Sequence, residues 1–141
     1  KGRGAWLQGQ RLRVSARRDL ADSLIGTGIP FLGHGNFAEW SRIFGAVAPE
    51  VAGIRRFGSA ALDLAWVAAG RFDGFWESEL KPWDIAGGSL IVIEAGGRMT
   101  TMEGGGFTSR APHVLATNGL LHEPMLEVIR SFRNSQQSSV D

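Results

Sequence analysis

Residues 72–97 read FDGFWESELKPWDIAGGSLIVIEAGG, and this stretch decides the fold. Residues 72–77 form a short segment that is rich in aromatic side chains, which is typical of a strand. Residues 84–95 are long enough for a buried helix, and Gly96-Gly97 follows it, as glycine often does where helices end. The stretch therefore predicts a strand that leads into a helix, with an acidic residue at the end of the first and the start of the second.

The chain before this stretch has the same alternation. Residues 23–29 form an apolar run that predicts a strand, and a loop separates it from a helical stretch over residues 37 to about 51. Residues 59–69 are rich in helix formers, begin with a good N-cap residue and end before Gly70. Because this segment is apolar nearly all round, we expect a buried helix.

The two ends of the chain complete the pattern. Residues 5–7 and 11–14 predict a β-hairpin that turns at Gly9. Short strands are expected over residues 98–102 and 114–117, and a last helix from Met125 to about residue 132. Strands that alternate with helices predict an α/β layered fold.

Composition limits the class of protein. The chain has 141 residues, of which 43% are hydrophobic, and this suffices for one domain with a core. The net charge of +1 gives no strong attraction to nucleic acid or anionic membranes, and no apolar run approaches the ~20 residues that span a bilayer. Without cysteine there are no disulfides or thiolate nucleophiles. We expect a soluble cytoplasmic protein, with neither membranes nor nucleic acid as partners.

Two carboxylates stand out in residues 72–97. Asp84 lies where the predicted helix begins, and the residues alone favour an N-cap over a ligand there. Glu77 lies at the end of the predicted strand. Because a strand end and a helix start can meet at the carboxyl edge of a sheet, both side chains could converge on one pocket. Their oxygens suit Mg²⁺, a hard cation, or the hydroxyl groups of a polar substrate.

Gly58-Ser59-Ala60 opens the predicted helix over residues 59–69 with small residues. Free backbone N–H groups there would permit close approach of a ligand, although capping by Ser59 is the simpler account. Arg55 and Arg56, just before, could pair with Glu77 or with a ligand anion, whereas a solvated basic turn is the simpler account.

Three other signals are weaker. Gly26-Thr27-Gly28 follows a predicted strand as a dinucleotide-binding fingerprint does, but Phe31 stands where the third glycine belongs. Glu94 opposes the dipole of its predicted helix, so we expect a salt bridge or a hydrogen bond to hold it. No spacing typical of a metal site or a catalytic triad connects the histidines, which are His34, His113 and His122.

Taken together, five segments resemble the inositol monophosphatase family in their order and spacing. They are GSAALDLA (58–65), VAAGR (67–71), DGFWE (73–77), WDIAGG (83–88) and EAGG (94–97). The resemblance runs from residue 1 to about residue 132 and is closest to the bacterial inositol-1-monophosphatase branch. It implies an αβαβα layered fold and Mg²⁺-dependent hydrolysis of the phosphate monoesters of small polyols, by in-line attack of a metal-activated water.

The resemblance also implies roles for single residues. Asp84 resembles the aspartate that binds a catalytic metal and approaches a substrate hydroxyl. Glu77 resembles the glutamate that holds an inositol hydroxyl. Gly58, Ser59 and Ala60 resemble the segment that lines the substrate pocket. Metal ions activate water and neutralise phosphoryl charge, while sugar hydroxyls need a carboxylate acceptor, so these residue types fit the implied chemistry.

The sequence departs from the family in two ways. Gly87 stands where the family often has alanine, and a glycine inside a helix costs ~1 kcal/mol. The Asp-Pro-x-Asp-Gly-Thr motif and an earlier glutamate, which hold the family's main metal sites, are absent. Asp84 alone cannot fill the ~6 oxygen positions around Mg²⁺. We therefore expect the C-terminal portion of a phosphatase, inactive by itself and completed by an upstream half.

In this interpretation, residues 1–18 are a β-hairpin remnant of the first domain, residues 19–133 are the C-terminal α/β domain, and residues 134–141 are a disordered tail. The expected substrate is inositol monophosphate. Histidinol phosphate, a nucleotide 3′-phosphate and fructose bisphosphate stay open, as does a non-catalytic role through protein or RNA contacts. Because family members are commonly dimers, a homodimer is also expected.

Overall fold

The computed structural model describes residues 1–137. A two-stranded hairpin comes first, formed by β1 (Trp6–Leu7) and β2 (Gln10–Arg11). The main sheet contains β3 (Leu24–Thr27), β4 (Gly53–Arg55), β5 (Gly74–Ser78), β6 (Arg98–Thr100) and β7 (His113–Thr117). The helices are α1 (Phe37–Val47), α2 (Ala60–Ala68), α3 (Pro82–Glu94) and α4 (His122–Gln137).

The five strands of the main sheet lie in the order β4-β3-β5-β7-β6. β3 is parallel to β4 and to β5, whereas β7 is antiparallel to both β5 and β6. The carboxyl ends of β3, β4 and β5 therefore lie at the same edge of the sheet. The chain segments that follow these three strands, including the starts of α2 and α3, begin at this edge.

Helices cover both faces of the sheet. One core packs α2 and α3 against β5 and β7, and includes Leu64, Ile85 and Phe75. The other core packs α1 and α4 against the opposite face, and includes Ile43 and Met125. The predicted α/β layered fold is therefore confirmed. Within residues 1–137, no helix is long and apolar enough to cross a membrane.

Local signals in the sequence correctly predict the hairpin turn, the N-cap of α2 and the glycines that follow α2 and α3. The hairpin turns through Gln8 and Gly9 with φ values of 50° and 76°, as a tight two-residue turn requires. Gly70 and Gly96 take φ values of 73° and 91° directly after the C-caps of α2 and α3. Ser59 caps α2 and accepts a hydrogen bond from the N–H of Leu62 at 3.5 Å. These expectations are confirmed.

Several elements differ from the prediction. β4 was not predicted, because a three-residue edge strand that contains a glycine has no apolar run to mark it. α1 ends at Val47, and a 3₁₀ turn over Ala48–Glu50 follows, because Pro49 lacks the N–H that would continue the helix.

α4 starts earlier and ends later than predicted. It begins at His122 and reaches Gln137, so residues 134–137 are helical rather than part of a disordered tail. Extending an existing helix adds one hydrogen bond per residue without a new nucleus, and glutamine is a good helix former. The rest of the predicted tail, residues 138–141, lies outside the described residues.

The expectation that α2 is buried on all sides is wrong. Leu64, Val67 and Ala68 are fully buried, but Leu62 is 58% exposed. Leu90 and Ile91 on α3 are also exposed, and all three line a groove of about 410 Å³ between the two helices and the hairpin. The apolar residues of α2 therefore face in two directions, one toward the sheet and one toward the exposed groove. The periodicity of the sequence does not distinguish an apolar face in a groove from one in the core.

The start of the chain is attached to the end of α3. The carboxylate of Glu94 accepts hydrogen bonds from the backbone N–H groups of Gly2, at 2.5 Å, and Gly4, at 2.8 Å. These two bonds lower the pKa of Glu94. The N–H of Val14 also donates to the carbonyl of Ala95 at 3.1 Å. The predicted hydrogen bond at Glu94 is confirmed, and it offsets the unfavourable helix dipole.

Gly87 offers a stability prediction. It lies inside α3, and a Cβ there would meet no atom within 4 Å. Because glycine costs about 1 kcal/mol relative to alanine in a helix interior, Gly87→Ala should stabilise the chain by up to that amount. Urea unfolding checks this, with Gly88→Ala as the control, since a Cβ at Gly88 would lie 2.8 Å from Leu64. An unchanged or lower stability for Gly87→Ala would contradict the prediction.

Candidate active site

A cleft of about 480 Å³ lies at the edge of the sheet where β3, β4 and β5 end. The end of β5 and the starts of α2 and α3 form its polar side. The loop after β3 forms an apolar side, to which Phe31 contributes. All of the predicted site residues line this one cleft, namely Gly58, Ser59, Ala60, Glu77 and Asp84. The convergence of the two carboxylates that the sequence analysis expected is therefore present.

Asp84 is not the N-cap of α3. Lys81 is the N-cap, and the helix begins at Pro82, whose fixed φ suits the first helical position. Asp84 lies two positions further on, and its Oδ2 accepts a hydrogen bond from the backbone N–H of Lys81 at 2.9 Å. The carboxylate thus stabilises the helix start by reaching back to it, while Asp84 also lines the cleft.

Glu77 is the most perturbed acid of the cleft. Burial raises its pKa to about 7, and repulsion from Asp63 and Asp84 adds to this effect, whereas Arg56 acts in the opposite direction. Near neutral pH the carboxyl group therefore exchanges between its neutral and its charged form. Perturbed acids in clefts often mark functional sites. A nearby cation would favour the charged form and lower this pKa.

Asp63 is a third acid near the cleft, in addition to the two that the sequence pattern indicates. It lies in the first turn of α2 and is 1% exposed, and burial raises its pKa to about 6. Among the described residues, its Oδ1 has no hydrogen-bond partner. The signal available in the sequence was an aspartate between two leucines in a helix that is otherwise apolar. Arg56 partly offsets its charge.

Two helix N-termini open onto the cleft, those of α2 and α3. The first N–H groups of a helix have no partner within the helix, and they attract anions. Gly58, with a φ of 87°, makes the turn that brings the chain into α2. The cleft thus combines carboxylates, which suit a cation or hydroxyl groups, with helix ends, which suit a phosphate.

Asp84 fits a divalent cation only as part of a ligand set. Among the described residues, no group of three or more histidine, aspartate or glutamate side chains is placed to hold a metal ion. With Oδ2 engaged by Lys81, Asp84 has Oδ1 left as a metal ligand. The remaining positions of Mg²⁺ would need oxygens from water, substrate or another part of the protein.

The histidines lie apart. His34 lines the cleft, in the loop after β3. His113 lies 3.3 Å from Glu103, on the β7 side of the sheet. His122 is fully buried, and its ring nitrogens lie 2.8 Å from the hydroxyl of Thr100 and 2.9 Å from that of Thr117. Burial lowers the pKa of His122 to about 4, as suits a structural residue.

The fold and cleft define an α/β domain with an acidic, anion-compatible site at a sheet edge. The sequence profile of the inositol monophosphatase family matches residues 1–137, and the chain belongs to this family. It is 52% identical to an inositol-1-monophosphatase of Rhizobium meliloti, over 92% of the chain and 49% of the relative.

Two further comparisons show similarity to proteins named SuhB. A protein named Nus factor SuhB, of Pseudomonas aeruginosa, is 44% identical over 92% of the chain and 49% of its own length. The crystal structure of the extragenic suppressor protein suhB of Bartonella henselae superimposes with a TM-score of 0.87 at 46% identity, covering 92% of the chain and 50% of that structure. The chain therefore spans about half the length of these relatives.

Proposed function

We propose that the chain is the C-terminal portion of an enzyme that hydrolyses inositol monophosphate to inositol and phosphate with Mg²⁺. The observation that carries this proposal is the meeting of Glu77, Asp84 and the start of α2 in one cleft. Membership of the inositol monophosphatase family supports the same class of reaction. The whole protein would consist of this chain and an upstream half.

Each side chain has a distinct task in this proposal. Asp84 supplies one metal ligand and contacts a substrate hydroxyl, and the start of α3 holds it in place through Lys81. Glu77 accepts a hydrogen bond from a hydroxyl of the polyol. Gly58, Ser59 and Ala60 bring backbone N–H groups close to the substrate. Mg²⁺, when bound, would activate a water molecule and neutralise charge on the phosphoryl oxygens.

The exposed apolar face of α2, α3 and the hairpin is the surface that we assign to the upstream half. Trp6 is 57% exposed and Leu62 is 58% exposed, and both line the groove of about 410 Å³. Contiguous apolar surface of this kind marks an interaction site. The relatives have about as much chain again outside the matched region, which is enough to cover it.

An assay of the whole protein tests the proposed function. Phosphate release from inositol monophosphate should require Mg²⁺ and stop when EDTA removes the metal. Residues 1–141 by themselves should release no appreciable phosphate, because Asp84 alone cannot complete the metal site. Turnover by the whole protein without a divalent metal would contradict the mechanism, and Mg²⁺-dependent turnover by the chain alone would contradict its proposed incompleteness.

The substrate could also be a related phosphate monoester. Histidinol phosphate, a nucleotide 3′-phosphate and fructose bisphosphate should each be compared with inositol monophosphate by kcat/KM. The pocket loops set this choice, and part of the pocket would come from the upstream half. A preference for one of the other three substrates would keep the reaction class and change the specificity.

A non-catalytic role is the second candidate, and the relative named Nus factor SuhB favours it. In that case the protein would act through protein or RNA contacts, and the net charge of +1 favours protein over RNA. A pull-down with wild-type protein and with an Asp84→Asn variant separates the two candidates. Recovery of transcription proteins by both forms would support the second role, and a homodimer is compatible with either.

A further inference from the structure

Gly28 is a glycine that its own backbone conformation does not require. It follows β3 within the Gly26-Thr27-Gly28 motif, and it is not among the glycines with positive φ. A Cβ at position 28 would lie 1.5 Å from Oε1, 2.1 Å from Cδ and 2.7 Å from Cγ of Glu77. Carbon atoms pack at about 3.5 to 4.0 Å, so an alanine here and the observed Glu77 side chain exclude each other.

The pairing of β3 with β5 explains this contact. The parallel register places Gly26 opposite Phe75, and two residues further along Gly28 comes beside Glu77. Because side chains alternate between the faces of a sheet, both pairs face α2 and α3. A Cβ at Gly26 would lie 2.9 Å from Cε2 of Phe72. Gly26 therefore leaves room for the ring of Phe72, and Gly28 leaves room for the carboxylate of Glu77.

We propose that Gly28 is the positioning residue of Glu77, because the space left by its missing side chain is where the Glu77 carboxylate lies as it lines the cleft. This inference rests on the proposed function, in which Glu77 accepts a substrate hydroxyl. The two closest atoms, Oε1 and Cδ, belong to the carboxylate end of a flexible side chain, and rotation about χ1 moves Cγ as well, so a methyl group at position 28 would turn Glu77 aside rather than unfold the sheet. The cleft would still contain the Glu77 carboxylate, but the carboxylate would no longer lie where it accepts the substrate hydroxyl.

The charges around Glu77 make its position matter. Asp63 and Asp84 repel its charged form, and Arg56 attracts it. A displaced carboxylate would lie at different distances from these three charged groups, so the pKa of Glu77 would change together with the direction of its side chain. Position 28 thus controls where the acceptor lies in the cleft.

Gly28→Ala in the whole protein tests the proposal, with inositol 1-phosphate and Mg²⁺ as the assay. We expect KM to rise about tenfold or more, the scale on which a hydrogen bond to a charged group is lost, with a smaller change in kcat. In a Glu77→Ala background the same substitution should change KM no further. Crystal structures of the wild type and Gly28→Ala should show the Glu77 carboxylate displaced by the new methyl group.

Gly26→Ala is the matched control. It adds the same methyl group to the same face of β3, but against Phe72, so it should lower the thermal stability and leave KM unchanged. An unmoved Glu77 in the Gly28→Ala structure would overturn the proposal. A KM increase that persists in the Glu77→Ala background would also overturn it, because the methyl group would then act by filling the cleft. If the wild-type protein releases no phosphate, the proposed function fails, and the two crystal structures alone decide the role of Gly28.

Discussion

An Asp84→Asn variant of the whole protein is expected to release phosphate at least about a hundredfold more slowly than the wild type, the scale on which the loss of one preorganised polar contact slows catalysis. Asparagine removes the negative charge that would hold Mg²⁺, and its amide oxygen is a weaker ligand. The measurement is Mg²⁺-dependent phosphate release from inositol monophosphate at saturating substrate. Near-normal turnover would contradict the proposed role of Asp84.

The fold should not change in this variant. Oδ2 of Asp84 accepts the N–H of Lys81, and an asparagine amide oxygen can accept the same hydrogen bond. Asp84→Asn loses only the favourable charge near the helix N-terminus, so its free energy of unfolding should stay within about 1 kcal/mol of the wild type. Asp84→Ala also loses the hydrogen bond to Lys81 and should be less stable by about a further 1 kcal/mol, along with the loss of activity. Glu127→Gln provides a charge-matched control, because Glu127 is exposed on α4, and this variant should keep both activity and stability.

Much of the fold is predictable because its signals are local. Ser59 caps α2, Gly70 and Gly96 follow the ends of α2 and α3, and Gln8-Gly9 turns the hairpin, and each needs only its immediate neighbours. The convergence of Glu77 and Asp84 is also close to local, since one strand end and the next helix start lie only a few residues apart. The α/β class follows from the alternation of these segments.

The remaining features depend on contacts between distant segments. β4 is a strand because it pairs with β3, not because Gly53 or Arg55 favours one. The need for Gly28 follows from its contact with Glu77, which is set by the register between β3 and β5. Asp63 raises the pKa of Glu77 only because the fold brings α2 close to the end of β5. A sequence pattern contains the residues for these contacts but not the geometry that brings them together.

Asp73 joins the start of the chain to the main sheet. It is 4% exposed, and its Oδ1 accepts the hydroxyl of Ser15 at 2.5 Å. Oδ2 accepts the backbone N–H of Leu24 at 2.8 Å and lies 3.3 Å from Nε of Arg17. The side chain of Asn118 also donates to the hydroxyl of Ser15 at 3.1 Å. These contacts cross the domain boundary predicted at residue 18, which itself stays a prediction.

Asp73→Ala is expected to destabilise the chain by about 3 kcal/mol, because it leaves the N–H of Leu24 without its acceptor and removes a charged partner from Ser15 and Arg17. For a domain of this size, that corresponds to a decrease in Tm of roughly 10 °C. Asp22→Ala, at an exposed position, should change the stability by less than about 0.5 kcal/mol. Thermal and urea unfolding of the three proteins measure both values.

The same substitution should release the start of the chain before the rest unfolds. Ser15 and Arg17 would lose Asp73, so the segment that follows the hairpin would keep fewer contacts with the main sheet. Trypsin should then cut Asp73→Ala at Arg17 or Arg18 well below its Tm, while the wild type and Asp22→Ala resist. Equal cleavage of all three proteins would mean that Asp73 does not hold this segment. Its contribution to stability would then come from the hydrogen bond that it accepts from the N–H of Leu24 in β3.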